Sequence, residues 1–381
     1  MKTNLFIILS IMIITNFGCS TQPTSLSKVD RANFQTVVDG KSVDLYYLKN
    51  KNNIELTVTN FGARIVELFV PDRDGKFVDI VLGHDHINKY VSYGRTERFL
   101  GSTIGRYGNR IAKGKFTLDD IEYTLPINNR PNSLHGGTKG FDMLVWDAHQ
   151  IDLQTIEFYL ISPDGDQGYP GTLTVAMTYQ LTDDNELVIV HKATTDKKTV
   201  VNLTHHSFFN LHGAGHETIN DHVLTINASN YTPVDATLIP EGPVATVEGT
   251  PMDFRIPTVI GKRVDQDFEQ LRYGRGYDHN WVIDRKTENE LEQAAVVYEP
   301  VSGRVMEVWT TEPGIQFYGG NFFDGSWAGK EDKIYHFRAS LALETQHYPD
   351  SPNRSDFPST VLEPGQPYYH TCVYKFGVNK F

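Results

Sequence analysis

Short runs of alternating apolar and polar residues dominate this chain, and turn residues separate them. The run IELTVTNFGARIVELFV (54–70) alternates well, and similar runs cover residues 155–163 and 173–195. A period of two is typical of β-strands, because successive side chains of a strand point to opposite faces. No segment has the period of a long amphipathic helix. The pattern therefore predicts a chain built from more than a dozen strands.

Turn residues join several of these runs into predicted hairpins. The predicted turns are Asp74–Gly75, Asp119–Asp120 within residues 114–125, Asp183–Asn185 within residues 173–195, and Ser302–Gly303 within residues 294–320. Strands joined by such short turns pair antiparallel. Since helices do not alternate with strands, we predict an all-β antiparallel fold, either a large sandwich or two stacked β units. No linker or repeat divides it, so one domain is expected over residues 33–381.

The beginning of the chain has the features of an export signal. Lys2 precedes the apolar run LFIILSIMII, which is too short to cross a bilayer as a helix. Gly18 stands before Cys19, an ending that resembles a bacterial lipoprotein signal, although Asn16 occupies a position that is usually Leu. An ordinary secretory signal is the alternative.

These features predict the processing of the chain and its location in the cell. We expect a signal peptide over residues 1–18, a lipid on Cys19, and a polar tether over residues 19–32. The protein is then exported and lipid-anchored in the bacterial periplasm or at the cell surface. The lipid is its only expected contact with a membrane, and a monomer is expected.

Composition narrows the class of ligand. The chain has 381 residues, of which 35 are basic and 47 acidic, and its net charge of −12 argues against a nucleic-acid partner. Aromatic residues make up 12%, which favours β structure and flat ligands such as sugars. The two cysteines, Cys19 and Cys372, are too few for a disulfide framework or a zinc site. Cys372 is expected to pack as a free thiol.

The segments between the predicted strands carry the candidate chemistry. Residues 105–114, 128–142, 274–282 and 344–353 are rich in Gly, Pro and Asn and also concentrate Arg, His, Asp and Glu. The chain lacks a nucleophile elbow, a phosphate-binding loop and a recognisable metal-ligand spacing. We therefore expect no metal and no cofactor. Proton transfer between a carboxylate and histidines remains as the chemistry that these residues support near neutral pH.

Two adjacent histidines lie inside the strand-like run VNLTHHSFFNL (201–211). Alternation places His206 on one face with Asn202 and Thr204, and His205 on the other face, so only one histidine can face a given cavity. Glu344 is the carboxylate candidate, because it interrupts the apolar run LALETQ. Each candidate taken alone also has a purely structural interpretation, such as a turn histidine or a surface charge.

Seven motifs, taken in order, resemble those of the aldose 1-epimerase (galactose mutarotase) family. They are GRYGNRIAKGKF, NSLHGGTKGFD, NLTHHSFFNLHG, GTPMDFR, GYDHNWV, PGIQFYGGNF and LETQHYPDSPN, and the resemblance runs from about residue 35 to residue 378. It implies a large antiparallel β-supersandwich that holds a sugar in an open cleft. It also implies interconversion of the α and β anomers of free aldohexoses such as galactose and glucose.

The resemblance also implies roles for individual residues. Glu344 is expected to be the general base, His206 the general acid, and His135 an assisting residue that holds the ring and anomeric oxygens. The residues expected to bind the sugar are Asn109, Arg110, Asp278 and Gln316. This chain has His205 where the family usually has Asn and Phe208 where many members have Tyr, and neither change is expected to alter the chemistry.

Other functions stay open at this point. A catalytically silent sugar-binding protein at the cell surface and an epimerase for phosphorylated hexoses are two alternatives. A glycoside hydrolase is a third, since Glu344 and Asp278 would supply its two carboxylates. From their positions alone, Trp281 and Phe317 are the aromatic residues expected to support the apolar side of a sugar.

Overall fold

The computed structural model describes residues 25–92, 99–326 and 328–379. The predicted signal peptide and the predicted lipidation site, Cys19, lie outside these residues. The strands of the first half are β1 (Thr36–Val38), β2 (Lys41–Val43), β3 (Leu45–Lys49), β4 (Glu55–Thr59), β5 (Arg64–Pro71), β6 (Phe77–Asp79), β7 (Ser102–Ile104), β8 (Arg110–Ile111), β9 (Lys115–Leu118), β10 (Ile121–Thr124), β11 (Ser133–Leu134), β12 (Asp147–Gln150), β13 (Thr155–Ser162) and β14 (Leu173–Leu181). Those of the second half are β15 (Glu186–Thr195), β16 (Thr199–Val200), β17 (Thr204–His206), β18 (Val223–Ile226), β19 (Asn230–Thr232), β20 (Ala245–Thr246), β21 (Thr258–Val259), β22 (Asp278–Val282), β23 (Glu292–Tyr298), β24 (Arg304–Thr310), β25 (Gly314–Tyr318), β26 (Ala342–Gln346), β27 (Val361–Leu362) and β28 (Tyr368–Val378).

Helical structure is limited to short elements in the described ranges. The α-helices are α1 (Ile87–Ser92) and α2 (Glu269–Gly274). Single turns of 3₁₀-helix cover Arg31–Asn33, Ala112–Gly114, Phe141–Met143, Asp166–Gly168, Ile260–Lys262, Lys330–Asp332 and Ser351–Asn353. Neither described α-helix is long and apolar enough to cross a membrane.

Three larger sheets organise the described chain. The first has nine strands in the order β12-β13-β14-β15-β28-β24-β23-β18-β21, the second has the order β20-β19-β22-β25-β26, and the third has the order β3-β4-β5-β6. The strands within each sheet pair antiparallel, which confirms the predicted all-β antiparallel fold. One continuous apolar cluster includes residues of all three sheets, for example Leu56 on β4, Ile189 on β15 and Ile315 on β25. This shared core holds the sheets together, because burying apolar area is the main source of stability.

The predicted hairpins form where the turn residues indicate. Asp74–Gly75 lies between β5 and β6, Asp183–Asn185 between β14 and β15, and Ser302–Gly303 between β23 and β24. Asp119 and Asp120 join β9 to β10 with φ angles of 49° and 61°. Positive φ at both central residues is the geometry that suits the twist of a two-residue hairpin.

Two predicted runs contain more strands than the alternation shows. Residues 54–70 form a hairpin of β4 and β5, because the chain turns at Gly62, where φ is 72° and an added Cβ would lie 2.5 Å from the Asp142 carbonyl oxygen. Residues 294–320 hold β25 in addition to the predicted pair. Pro313 has no amide hydrogen, so the ladder of β24 cannot continue and the chain passes to the second sheet.

The described part of the predicted tether contacts the domain. Ser25 Oγ and Leu26 N donate hydrogen bonds of 2.9 and 2.6 Å to the Glu55 carboxylate. Val29 is buried in a second apolar cluster together with Phe34. The packed structure therefore begins before residue 33, the predicted domain boundary.

Candidate active site

The two residues predicted to transfer protons meet between neighbouring strands. His206 ends β17 and Glu344 lies in the middle of β26, and His206 Nε2 is 3.4 Å from Glu344 Oε1. Both side chains are almost fully buried. His205 points the other way, where its ring nitrogens contact the Tyr179 hydroxyl and Ser207 Oγ at 3.1 and 2.7 Å. The predicted division of the two histidines between opposite faces is therefore confirmed.

A cavity of about 420 Å³ opens above this pair. It brings together residues that are far apart in the chain. Its lining residues are Phe99, Asn109, Arg110, Asn129, Arg130, Leu134, His135, His206, Phe208, Ala236, Thr237, Leu238, Tyr273, Asp278, Tyr318, Phe322 and Glu344. Six of the seven predicted site residues are in this set, and Gln316 is the exception.

Gln316 lies next to Asp278 and holds its carboxylate. The Gln316 side-chain amide donates a hydrogen bond of 2.7 Å to Asp278 Oδ1, and Arg110 Nη2 lies 3.7 Å from Asp278 Oδ2. Arg110 is itself oriented by Asn129, whose Oδ1 accepts a bond of 3.2 Å from Arg110 Nε. Three strands and a loop thus supply one charged side of the cavity with both hydrogen-bond donors and acceptors.

His135 is oriented by a backbone group. Asn109 N donates to His135 Nδ1 at 3.1 Å, and His135 N donates to the Asn109 carbonyl at 3.0 Å. The loop continues through Gly136 at a φ of 79°, where an added Cβ would lie 1.9 Å from the Gly105 carbonyl oxygen. Because Nδ1 accepts a hydrogen bond, the neutral ring carries its proton on Nε2. His135 can therefore donate a hydrogen bond through Nε2 to an oxygen of a ligand.

Burial shifts the pKa values of the central pair in opposite directions. It raises the pKa of Glu344 well above 4.5, and the nearby Asp278 charge raises it further while Arg110 opposes the shift. Burial lowers the pKa of His206 to about 3. A carboxylate with a raised pKa is a stronger base, and an imidazolium with a lowered pKa is a stronger acid. Burial also favours the uncharged form of both groups, so the ionised pair is the higher-energy arrangement of the one proton that the two groups share.

Several polar atoms of the site have no protein partner among the described residues. They are His206 Nδ1, Glu344 Oε2 and Gln316 Oε1, all of them buried. Buried polar atoms are normally paired, because leaving one unpaired costs free energy. A ligand with several hydroxyl groups can satisfy such atoms.

The aromatic residues of the cavity differ from those expected. Phe99 and Phe208 lie nearly parallel to the His206 ring, with centroid distances of 6.0 and 4.6 Å. The prediction for Trp281 and Phe317 is wrong, since both are fully buried in the main core. Alternation gives the reason: Gln316 faces the site side of β25, so Phe317 faces the core, and the same parity separates Trp281 from Asp278 on β22.

Sequence reasoning also missed residues that line the cavity. Tyr318 could have been found, because it shares a strand face with Gln316 two residues earlier. Asn129 and Arg130 lie in the loop over residues 128–142, whose charged residues are its signal in the sequence. Phe99, Tyr273 and Phe322 carry no signal in the sequence that distinguishes them from core or surface aromatics.

Two groups of side chains have the spacing of metal ligands. They are His135, His206 and Glu344 in the cavity, and His212, Asp221 and His222 outside it. In each group a backbone amide donates to one ring nitrogen, to His135 Nδ1 from Asn109 and to His222 Nε2 from Leu211. The other nitrogen of each neutral ring then carries a proton, which disfavours it as a metal ligand.

Comparisons with known proteins agree with the geometry. A family model described as aldose 1-epimerase matches residues 44–375. Galactose mutarotase of Rattus norvegicus is 44% identical over 339 residues, which cover 89% of this chain and 95% of the rat protein. Aldose 1-epimerase of Escherichia coli K12 is 37% identical over 341 residues, covering 89% and 96%.

The fold is also similar to a solved structure. The crystal structure of an aldose epimerase homologue from C. elegans superimposes with a TM-score of 0.80 at 31% sequence identity. The match covers 88% of this chain and 99% of the nematode chain. The sequence matches and the structural match therefore cover nearly the same part of the chain.

Proposed function

The chain belongs to the aldose 1-epimerase family, and from this membership we propose how its cavity interconverts the α and β anomers of a free aldose. Galactose and glucose are the proposed substrates. Glu344 is the proposed general base and His206 the proposed general acid. The observation that carries this assignment is the contact of 3.4 Å between two buried groups whose pKa values are shifted in opposite directions.

Ring opening begins with the pair in its ionised form. The Glu344 carboxylate takes the proton of the C1 hydroxyl, and the His206 imidazolium gives a proton to the ring oxygen. The bond between C1 and the ring oxygen breaks, and an open-chain aldehyde forms. The pair is then neutral, which is the form that burial favours for both side chains. The environment therefore assists ring opening.

Ring closure reverses the two proton transfers. The aldehyde end turns by half a rotation about C1–C2, so the oxygen attacks the opposite face. His206 now takes the proton of the attacking hydroxyl, and Glu344 returns its proton to the oxygen on C1. His135 donates a hydrogen bond through Nε2 to a sugar oxygen near the reacting carbon.

The remaining polar residues are proposed to hold the sugar. Arg110 and Asn109 donate to hydroxyl groups, and Asp278 accepts from them through charge-assisted hydrogen bonds. Gln316 is proposed to act through Asp278 and through its unpartnered Oε1 atom. Phe99 and Phe208 supply apolar surface beside the reacting end of the sugar.

Polarimetry tests the proposal directly. The chain from Ser20 onward, added to freshly dissolved α-D-galactose, is expected to speed the approach to anomeric equilibrium. Glu344→Gln and His206→Asn should each lower kcat by about 10²–10⁴-fold, because each removes one proton transfer. Glucose is then compared in the same assay.

A matched control separates catalysis from folding. Glu122 is an exposed carboxylate paired with Lys115 on β9, so Glu122→Gln should leave the rate unchanged. If the wild-type chain binds galactose but does not change the rate of mutarotation above buffer, the assigned chemistry is wrong. If the wild type is active and both variants keep full activity, the reaction stands and the residue roles fail.

We also propose that the protein is exported and attached to a membrane through a lipid on Cys19. The support is the order of Lys2, the apolar run over residues 5–14 and the Gly18–Cys19 pair. Expression in a Gram-negative host followed by mass spectrometry should find a mature chain that begins at a lipidated Cys19. Cys19→Ser should abolish lipidation, and a mature chain cut elsewhere would contradict the proposal. A monomer is proposed, which light scattering tests.

A further inference from the structure

The strand that carries Glu344 lies at the edge of its sheet. On one side β26 pairs with β25, and Glu344 lies opposite Gln316. The other side of β26 belongs to no ladder of the second sheet. Its carbonyl groups still have partners, because side chains donate to them: the Tyr374 hydroxyl bonds Leu343 O at 2.8 Å, and Thr204 Oγ1 bonds Thr345 O at 2.8 Å.

We propose that Asn202 and Thr204 are positioning residues that set the register between the segment carrying His206 and the strand carrying Glu344. Asn202, Thr204 and His206 alternate on one face of the same segment. Their contacts on the partner strand follow in the reverse order, at His347, Thr345 and Glu344. The inference rests on the proposed roles of His206 and Glu344.

Asn202 joins three segments of the site. Its Oδ1 accepts from His347 N at 3.0 Å, and its Nδ2 donates to the carbonyls of His347 and Gly108 at 3.3 and 3.2 Å. Gly108 directly precedes Asn109 and Arg110. This buried amide therefore joins the segment that carries His206 to the segment three residues after Glu344 and to the loop two residues before Arg110.

Thr204 makes the contact closest to the reacting pair. Its hydroxyl donates to the carbonyl of the residue after Glu344, and its Cγ2 methyl packs against Gly108, where an added Cβ would lie 2.9 Å away. Thr204 is fully buried and lines no part of the cavity. It therefore acts on the reaction only through the strands it joins.

The spacing explains why this register matters. One backbone bridge joins the two segments just past the end of β17, where Phe209 N donates to Leu341 O at 2.7 Å and Leu341 N donates to Phe209 O at 2.9 Å. Between this bridge and His347 no backbone ladder joins the described residues of β17 and β26, since β17 pairs with β7, so side chains hold the register there. Consecutive residues on one strand face are about 6.8 Å apart, so a slip by one such step would separate His206 from Glu344. A misplacement of only about 1 Å can cost about 10²-fold in rate.

The test compares Thr204→Val with Thr204→Ser. Valine keeps the shape and removes the donor, and serine keeps the donor. We expect Thr204→Val to lower kcat for galactose by about 10–100-fold with KM within about threefold, because Arg110 and Asp278 stay in place. Thr204→Ser should restore kcat to within about threefold of the wild type.

Thr199 provides a matched control. It is a fully buried threonine on β16 whose hydroxyl has no hydrogen-bond partner among the described residues. Thr199→Val should therefore leave both kcat and KM unchanged.

If Thr204→Val folds poorly, Thr204→Cys provides a second variant of similar size with a weaker donor. Its kcat should lie between those of the serine and valine variants.

Calorimetric titration with galactose separates positioning from loss of folded protein. If Thr204→Val binds galactose with the wild-type stoichiometry but has a lowered kcat, the inference is supported. A kcat near the wild-type value in Thr204→Val overturns the inference. A fall in kcat that matches a fall in the number of galactose-binding sites per chain also overturns it, because it would reflect loss of folded protein. If Glu344→Gln and His206→Asn keep their activity, the proposed roles of these two residues fail first. If they lose it while Thr204→Val does not, only the present inference fails.

Discussion

His206 and Glu344 lie 3.4 Å apart, and burial favours the uncharged form of both groups. Together they hold one transferable proton, whether it resides on the carboxylate or on the imidazole. The two groups therefore titrate as a pair, and the apparent pKa values belong to the pair.

The pair predicts an unusual pH profile. A second proton binds only near the lowered pKa of His206, about 3, and the last proton leaves only above the raised pKa of Glu344. The enzymatic kcat/KM for galactose, after subtraction of the buffer rate, should therefore show no separate step from His206 at pH 6.5, the ordinary pKa of histidine, and should fall where Glu344 loses its proton. A His206 ring signal in the NMR spectrum that titrates near pH 6.5 would contradict this arrangement.

Glu344 should reduce the stability of the free protein. Its pKa in the folded chain is raised above 4.5, so between these two values unfolding releases a proton and becomes more favourable as the pH rises. Each unit of the raised pKa corresponds to about 1.4 kcal/mol. Glu344→Gln should thus increase the free energy of unfolding near neutral pH, because glutamine carries no charge that burial penalises.

Urea unfolding at two pH values checks this sign. The gain from Glu344→Gln should shrink toward zero below pH 4.5, where the unfolded wild-type chain is also protonated. A gain that is equal at both pH values would show that glutamine stabilises the site by packing alone. A loss of stability near neutral pH would mean that the folded carboxylate is charged.

The alternation of the sequence predicts much of this site. It separates His205 from His206 and places Asn202, Thr204 and His206 on one face, since a strand offers only two faces. The turn residues between the alternating runs predict the hairpins. The alternation cannot predict that β26 lies beside β17, because the two strands are far apart in the chain and no short turn joins them.

The wrong aromatic assignments show a second limit. Trp281 and Phe317 were chosen for their closeness in sequence to Asp278 and Gln316, and strand parity directs them into the core. Phe99 reaches the cavity through tertiary packing against His135 and His206, with ring centroids 4.7 and 6.0 Å away. The pKa shifts depend on burial, which follows only from the assembled sheets.

A buried ion pair beyond the cavity should give the stability a second pH dependence. His347 Nδ1 lies 2.5 Å from Glu312 Oε2. Burial alone would lower the pKa of His347, but the Glu312 charge raises it overall. Burial alone would raise the pKa of Glu312, but the charges of His347 and His370 lower it overall. The pair is thus fully stabilising above pH 4.5 and below pH 6.5, the ordinary pKa values of the two groups.

His347→Gln tests this pair by urea unfolding. It should cost about 3 kcal/mol in that pH range, because it leaves a buried carboxylate without its partner. The difference should shrink as the pH rises through the raised pKa of His347, where the wild type loses the same charge. Glu122→Gln breaks an exposed pair and should cost less than about 1 kcal/mol. An equal cost of His347→Gln at about pH 5.5 and about pH 9.5 would contradict the ion pair.

Gln316→Leu should weaken sugar binding more than it slows the reaction. The amide of Gln316 donates to Asp278 at 2.7 Å, and a hydrogen bond to a charged group contributes about 1.5–3 kcal/mol. We therefore expect KM for galactose to rise about tenfold or more, with kcat changed by less than about threefold. Gln154→Leu removes similar bonds to Leu181 and Asp183 far from the cavity and should leave both constants unchanged. A fall in kcat without a change in KM would instead place Gln316 in the proton-transfer step.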